Sequence, residues 1–364
     1  MKMRKFILYG LGLFISCSLL FHGVSAQDVL QNPKEPQNPD AGRILRLERT
    51  LTITDKGGEF YFTAPRDLKV DSEGCIYTAS KGQILRFSQD GTFIQNLITE
   101  GQGPGEIQGH FRYALHDDNI YIYNFPTRKL VCLDRKGHFL DEIRFSEQFN
   151  DFYGLFDGRF LFLKSIWPPM DARTGKMMEI EERILQVTPQ GEVIKKSPNF
   201  PIQAYLGPGF ATWWTFTEEV LDKGENILYI THTSEYMIKA LDLETNKVIR
   251  RFNSKYKRVK HKESKEEQES RKKRNLPRKK FENDVSEVFF NQESRRLWVK
   301  TSTQSKEKGI LYDVFDERGQ YVDNFYLKLK GELLAVRGDS LFVSETDEDG
   351  IISIAKYRIL EQKK

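Results

Sequence analysis

Few side chains in this 364-residue chain stand in spacings that specify a reaction. The residues best suited to ligand contact are Arg66, Asp67, His110, Arg112, Trp213, Trp214 and His232, with Lys81, Asn124, Asp151 and Lys164 behind them. Arg66 and Arg112 occupy matching points of two successive similar segments. Two guanidinium forks so placed would hold a carboxylate or phosphate, unless they are spent on ion pairs within the framework. Trp213-Trp214 offers a stacking wall to a sugar or aromatic ligand, although strand alternation would send the two rings to opposite sides. Of the six histidines, His110 and His232 are the ones that could join Asp67, Asp151 or Asp284 around a divalent ion. No CxxC or HExxH occurs, so no cofactor is expected, and a divalent metal enters only under an enzymatic reading.

These residues must be positioned by short strands. From residue 43 onward, runs of Val, Ile, Leu, Tyr and Phe alternate with Gly/Asp/Asn turns, and helical periodicity is scarce. One family of turns precedes an aromatic-aliphatic strand six times, for example Asp71-Ser72-Glu73-Gly74 before CIYTA and Arg337-Gly338-Asp339 before SLFVS. A second family follows the next strand five times, as in Gln89-Asp90-Gly91 and Glu317-Arg318-Gly319. Each repeat therefore holds four strands, except a last one of three, for which RILRLERTLTIT (43–54) is the obvious donor. The fold class expected is all-β: a six-bladed β-propeller with four-stranded blades, the N-terminal strand closing the last. With the charged stretch 254–281 set aside, the length comes to about 48 residues per blade. A sandwich would not explain two phased turn families.

The stretch APRDLKVDSEGCIYTASKGQILRFSQDGTFIQNLITEGQGPGEI (64–107) resembles an NHL-type propeller repeat, most specifically in its Gly101-Gln102-Gly103-Pro104-Gly105-Glu106 link. The whole chain is similar to exported bacterial six-bladed propellers of the NHL-like group. Blades three to six match in turn spacing only, so the resemblance implies a fold far more than an activity. Enzymes in that group place a metal among His, carboxylate and Asn side chains. The alternative to a binding module is thus a metal-assisted lactonase- or lyase-like enzyme at the channel mouth.

Antiparallel strands A to D put the A–B and C–D turns on one face of the disc, where all are tight. The long segments 164–183, 197–212, 254–281 and 302–309 all fall on the other face. Long loops on a rigid scaffold carry binding residues, so this face is expected to recognise a ligand or protein partner.

Charge and hydropathy fix the ends of the chain. Lys2, Arg4 and Lys5, the apolar run Phe6 to Phe21 and Val24-Ser25-Ala26 read as an export signal cleaved after Ala26, leaving no transmembrane span. A periplasmic or surface location follows, with residues 27–42 a flexible, proline-rich lead-in. Cys75 and Cys132 read as half-buried strand thiols. The stretch Lys255 to Lys280 holds 13 Lys/Arg against 4 Glu, is expected to be helical from Glu263 to Arg274, and suits an anionic partner. The net charge of +4 therefore hides an acidic disc with one basic arm, and export together with the lack of a recognition motif excludes nucleic acid.

Overall fold

The computed structural model describes residues 29–55, 57–169, 175–207 and 210–360; the export signal and its cleavage site lie outside them. Three short strands come first: β1 (Leu30–Gln31), β2 (Arg43–Ile44) and β3 (Arg46–Ile53). Blade one follows as β4 (Arg66–Val70), β5 (Ile76–Ser80), β6 (Gln83–Phe87) and β7 (Phe93–Asn96). Blade two is β8 (Phe111–His116), β9 (Asn119–Asn124), β10 (Lys129–Asp134) and β11 (Phe139–Arg144). Blade three is β12 (Asp151–Phe156), β13 (Arg159–Ile166), β14 (Lys176–Val187) and β15 (Val193–Lys196), enlarged by the hairpin β16 (Ile202–Gly207) and β17 (Phe210–Trp213). Blade four is β18 (Thr217–Asp222), β19 (Ile227–His232), β20 (Glu235–Asp242) and β21 (Lys247–Asn253). The helix α1 (Lys265–Arg274) precedes blade five, which is β22 (Val285–Asn291), β23 (Arg296–Ser305), β24 (Gly309–Asp316) and β25 (Tyr321–Leu327). Blade six is β26 (Glu332–Arg337), β27 (Ser340–Thr346) and β28 (Ile352–Leu360), completed by β3, which runs antiparallel to β28 from Ile53–Ile354 to Arg46–Leu360.

The recurring C–D turn is closed by a side-chain oxygen that caps amides, a carboxylate in blades two and five and a hydroxyl at Ser88 and Thr188. Asp134 Oδ1 accepts from the amides of Lys136 and His138, both at 2.8 Å, and Asp316 does the same for Arg318 and Gln320 at 3.0 and 2.8 Å. The glycine three residues on, Gly137 or Gly319, takes φ near +80°, which closes the turn without a Cβ clash. Each blade then packs face to face on the next. A hydrophobic cluster fills each interface, the most aromatic lying between blades two and three, where Phe149 stacks on Phe162 at 4.1 Å. The link Gly101 to Glu106 has a structural job: the wholly buried Lys129 donates to Gly103 O at 2.7 Å and pairs with Glu142 at 2.9 Å.

Two expectations are corrected. The described part of the lead-in is a strap rather than a flexible tail. β1 pairs parallel to β21 and β2 parallel to β25, along the outer edges of blades four and five. Asn32, buried, donates to Asn253 O and Gly319 O, both at 2.9 Å, and accepts from Tyr321 N. Arg43 grips Asp323 with two bonds of 2.8 Å. A proline-rich composition masked these contacts, because the strap is held by backbone pairing and by polar side chains with no apolar pattern. The segment 197–212 is likewise no plain connection: β16 pairs with the distal half of the twelve-residue β14.

The charged stretch forms α1, ten residues long, with Ser264 as N-cap in a reciprocal capping box with Glu267 and Asn275 in the left-handed conformation at its end. Arg271 bonds back to Glu263 rather than to Glu267. No residue of α1 is buried. Its feet are tied down by Arg258–Asp284 at 2.9 Å, His261–Glu282 at 2.9 Å and a bridge between Lys260 and Phe281. No helix among the described residues is long and apolar enough to cross a membrane. Cys75 and Cys132 are both free and half-buried.

Candidate functional site

The innermost strand of every blade faces a central channel of about 1350 Å³. Four of these strands carry a bulge at the same level: between Arg66 and Lys69, Phe152 and Gly154, Val285 and Glu287, and Leu333 and Ala335. A bulge breaks strict alternation and re-aims side chains, which suits a wall that must present polar groups inward. Asp67 sits on the first bulge with φ +51°, and its carboxylate reaches Arg112 Nη1 at 3.3 Å. Arg112 Nε donates to Asp151 at 3.0 Å. Burial opposes the Arg112 charge, but Asp151 and Asp67 outweigh it and hold the guanidinium above its ordinary value.

Around that ion-paired triad lies a crowd of carboxyls. Glu182, buried, accepts from Ser165 Oγ at 2.7 Å and from Thr217 Oγ1 at 2.6 Å. β18 then places two neighbouring glutamates in the wall, and alternation turns them to different sides. Glu219 faces Tyr153 and Asp151 of blade three, and Glu218 faces Glu287 and Lys300 of blade five. Burial, followed by repulsion from Asp151 and Glu182, pushes the Glu219 carboxyl well above the usual range. Burial, reinforced by Glu287 and partly offset by Lys300, pushes Glu218 up to about 7. Burial also raises Glu182, Asp151 and Glu287. The carboxyl end of Glu219 is enclosed: its Oε1 and the neighbouring Tyr153 Oη are buried, and neither closes a hydrogen bond of good geometry. The mouth on the long-loop side is aromatic. Trp213 and Phe216 are 46 % and 47 % exposed, and Trp167 meets Trp213 edge-on at 5.2 Å.

Of the residues proposed from sequence, Arg66, Asp67, Arg112, Asp151 and Trp213 line this channel. Arg112 directs donors to the chain's own carboxylates, and the Arg66 guanidinium lies 5.9 Å over the Phe111 ring, so the two do not form an open pair of forks. Trp213 ends the added hairpin of blade three instead of starting blade four, and Trp214 is half-buried away from the channel. His110 stacks on Phe125 at 4.6 Å outside the channel. His232 lines a separate hollow of about 240 Å³, held between Thr215 at 2.8 Å and Ser234 at 3.0 Å. Asn124 is a buried brace for the backbone of Gln108 and His110. Sequence reasoning missed Tyr153, Glu182, Glu218, Glu219 and Glu287. The signal was present in Thr217-Glu218-Glu219-Val220: adjacent carboxylates inside a strand are out of place unless a polar cavity receives them.

Asp284 is taken by Arg258, and His110, His232 and Asp284 do not converge on Asp67 and Asp151. Among the described residues, the one trio of donor atoms within 4.8 Å of one another is Asp71, Glu73 and Cys75. That trio is an Asp-capped turn at the opposite mouth, where Asp71 Oδ1 already accepts two amides at 2.9 Å. Among the described residues, no such trio lies at the long-loop mouth.

Residues 59–332 match the family model DUF5128, described as a 6-bladed beta-propeller. The chain belongs to this family. No curated protein matches it. Among solved structures, the family's fold reappears in a protein of Bacteroides fragilis described as exported, with 12 % identity, TM-score 0.56 and coverage of 92 % of this chain and 100 % of that one. A DUF4221 member from Bacteroides vulgatus gives 11 % identity and TM-score 0.57, covering 88 % of this chain and 99 % of that one. A gluconolactonase from Xanthomonas campestris gives 14 % identity and TM-score 0.48, covering 90 % and 97 %. At these identities the likeness extends to the fold alone.

Proposed function

We propose that this propeller is an exported binding module that holds a small ligand in the long-loop mouth of its central channel. The observation that carries this reading is convergence. Side chains from blades one to four, namely Asp67, Arg112, Asp151, Glu182 and Glu219, meet beneath an exposed Trp213 and Phe216. Concave sites with a few convergent polar groups, perturbed carboxyls and an aromatic rim are where ligands bind. The basic excursion around α1 offers a separate surface for an anionic partner.

A scan of thermal stability against a library of small amines, acids and sugars tests the reading. Hits are then repeated on Trp213→Ala and on Arg337→Ala, which lies at the opposite mouth. The shift should vanish in the first variant and persist in the second; the reverse pattern refutes the site. Glu218, held at about 7, supports a second reading as general acid or base for hydrolytic or lyase chemistry at the same mouth. That reading requires turnover of a bound hit that Glu218→Gln abolishes while binding survives.

A further inference from the structure

The channel lining holds more acidic than basic side chains, and of the basic ones Arg66 and Lys69 lie over the Phe111 and Tyr113 rings at 5.9 and 4.9 Å. Lys300 pairs with Glu287 at 3.0 Å, Arg112 is shared by Asp67 and Asp151, and Arg337 pairs with Glu293 at the far mouth. Glu182, Glu218 and Glu219 take part in none of these pairs, and Glu182 is satisfied by hydroxyls alone. Glu182 on β14 and Glu219 on β18 therefore lie together on the blade-three side of the channel with no ion pair among the described residues, while Glu218, on the other side of β18, is only partly offset by Lys300. Removing carboxylates from water without a counter-charge is costly, and a positive group from outside would relieve it.

Two further features say what kind of positive group. Glu219 Oε1 and Tyr153 Oη are buried beside each other without a hydrogen bond of good geometry, so this corner of the wall can take a further polar partner. Above it, Trp167, Trp213 and Phe216 form an aromatic rim, two of whose rings are about half exposed. A bare metal ion has no use for an aromatic rim, and the carboxyls do not converge tightly enough to chelate one. An anion would meet the acidic wall. An ammonium group on an apolar or aromatic body satisfies both, because aromatic faces attract cations and carboxylates neutralise them.

We infer that the long-loop mouth takes an organic cation, its ammonium directed to Glu182 and Glu219 and its apolar body laid against Trp213 and Phe216, with Glu218 adding negative charge to the same channel from the other side of β18. The inference rests on the channel-mouth reading and names its ligand class. The basic excursion near the mouth, where Arg274 lies 6.0 Å over Phe210, does not reverse the attraction. Its exposed charges are screened over about 8–10 Å at physiological salt, whereas charges inside the channel are screened far less.

The test uses the full mature chain and isothermal calorimetry with benzyltrimethylammonium, which keeps its charge at every pH, against phenylacetate and calcium ion. Benzyltrimethylammonium should bind and the other two should not. Glu219→Gln combined with Glu182→Gln should weaken it about tenfold or more, the scale of a lost charge-assisted contact. The unmodified protein supplies a readout independent of any variant's folding. Affinity should rise with pH through about 7, as Glu218 ionises opposite Glu287, Lys300 and Asp151. Binding of phenylacetate in preference to the cation, with Trp213→Ala abolishing it, overturns the ligand class and leaves the mouth as the site. Cation binding indifferent to pH and to both glutamine substitutions overturns the inference outright. No binding of any probe, with library hits that ignore Trp213, removes the channel-mouth reading as well.

Discussion

At the residue scale, Glu218 couples the channel to pH. Its carboxyl titrates at about 7 in the folded protein, against 4.5 ordinarily. Between those values the folded state binds a proton that the unfolded chain has released. Stability therefore falls as pH rises across that window, and above about 7 the charged side chain costs the fold roughly 3 kcal/mol. Glu218→Gln removes the cost, so the variant should be more stable than the parent by up to about 3 kcal/mol at pH 8 and nearly equal to it at pH 4.5. Urea unfolding of both proteins at the two pH values measures this, and an identical difference at both would contradict it. A charge that weakens the fold at neutral pH fits a wall arranged for a ligand better than one arranged for packing.

At the element scale, the same turn carries different loads around the disc. Gly319 and Gly350 have φ of +80° and +81°, yet a Cβ on Gly319 would come within 2.5 Å of the buried Phe252 ring, and one on Gly350 would meet nothing. Alanine at Gly350 should cost about 1–2 kcal/mol from backbone strain, and alanine at Gly319 about 3 kcal/mol or more once overpacking is added. Denaturant midpoints of the two variants decide this; equal losses would mean that Phe252 moves freely. These turns also show what was legible in the sequence. Repeated turn spacing marked the blades because most copies need a side-chain oxygen of Asp, Ser or Thr to cap amides and a Gly or Asn tolerant of positive φ. The strap of residues 29–45 was not legible, since Asn32, Asn38 and Arg43 gain their partners some 280 residues away. The channel glutamates went unread, although Glu218-Glu219 carried a signal as adjacent carboxylates inside a strand. Glu182, Tyr153 and Glu287 acquire meaning only when the ring brings their blades together.

At the scale of the whole molecule, closure and decoration separate cleanly. Lys260 and Phe281 already face each other as a bridge, and α1 between them buries nothing. Replacing residues 261–280 by two glycines should therefore shift the melting temperature by no more than about 2 °C. Loss of β3 should behave in the opposite way, because β28 would then present an unpaired edge and the interface between blades six and one would lose Leu51 and Ile53. Scanning calorimetry on both truncations checks the contrast, and a large loss on removing α1 would show that the arm supports the disc. The central claim is that one mouth of the channel receives the ligand. The measurement that tests it most directly is a crystal structure of the protein soaked with benzyltrimethylammonium. Density for the cation between Trp213 and Glu219 is the result predicted. Density at the Arg337 mouth, or in the His232 hollow with the channel empty, would contradict it.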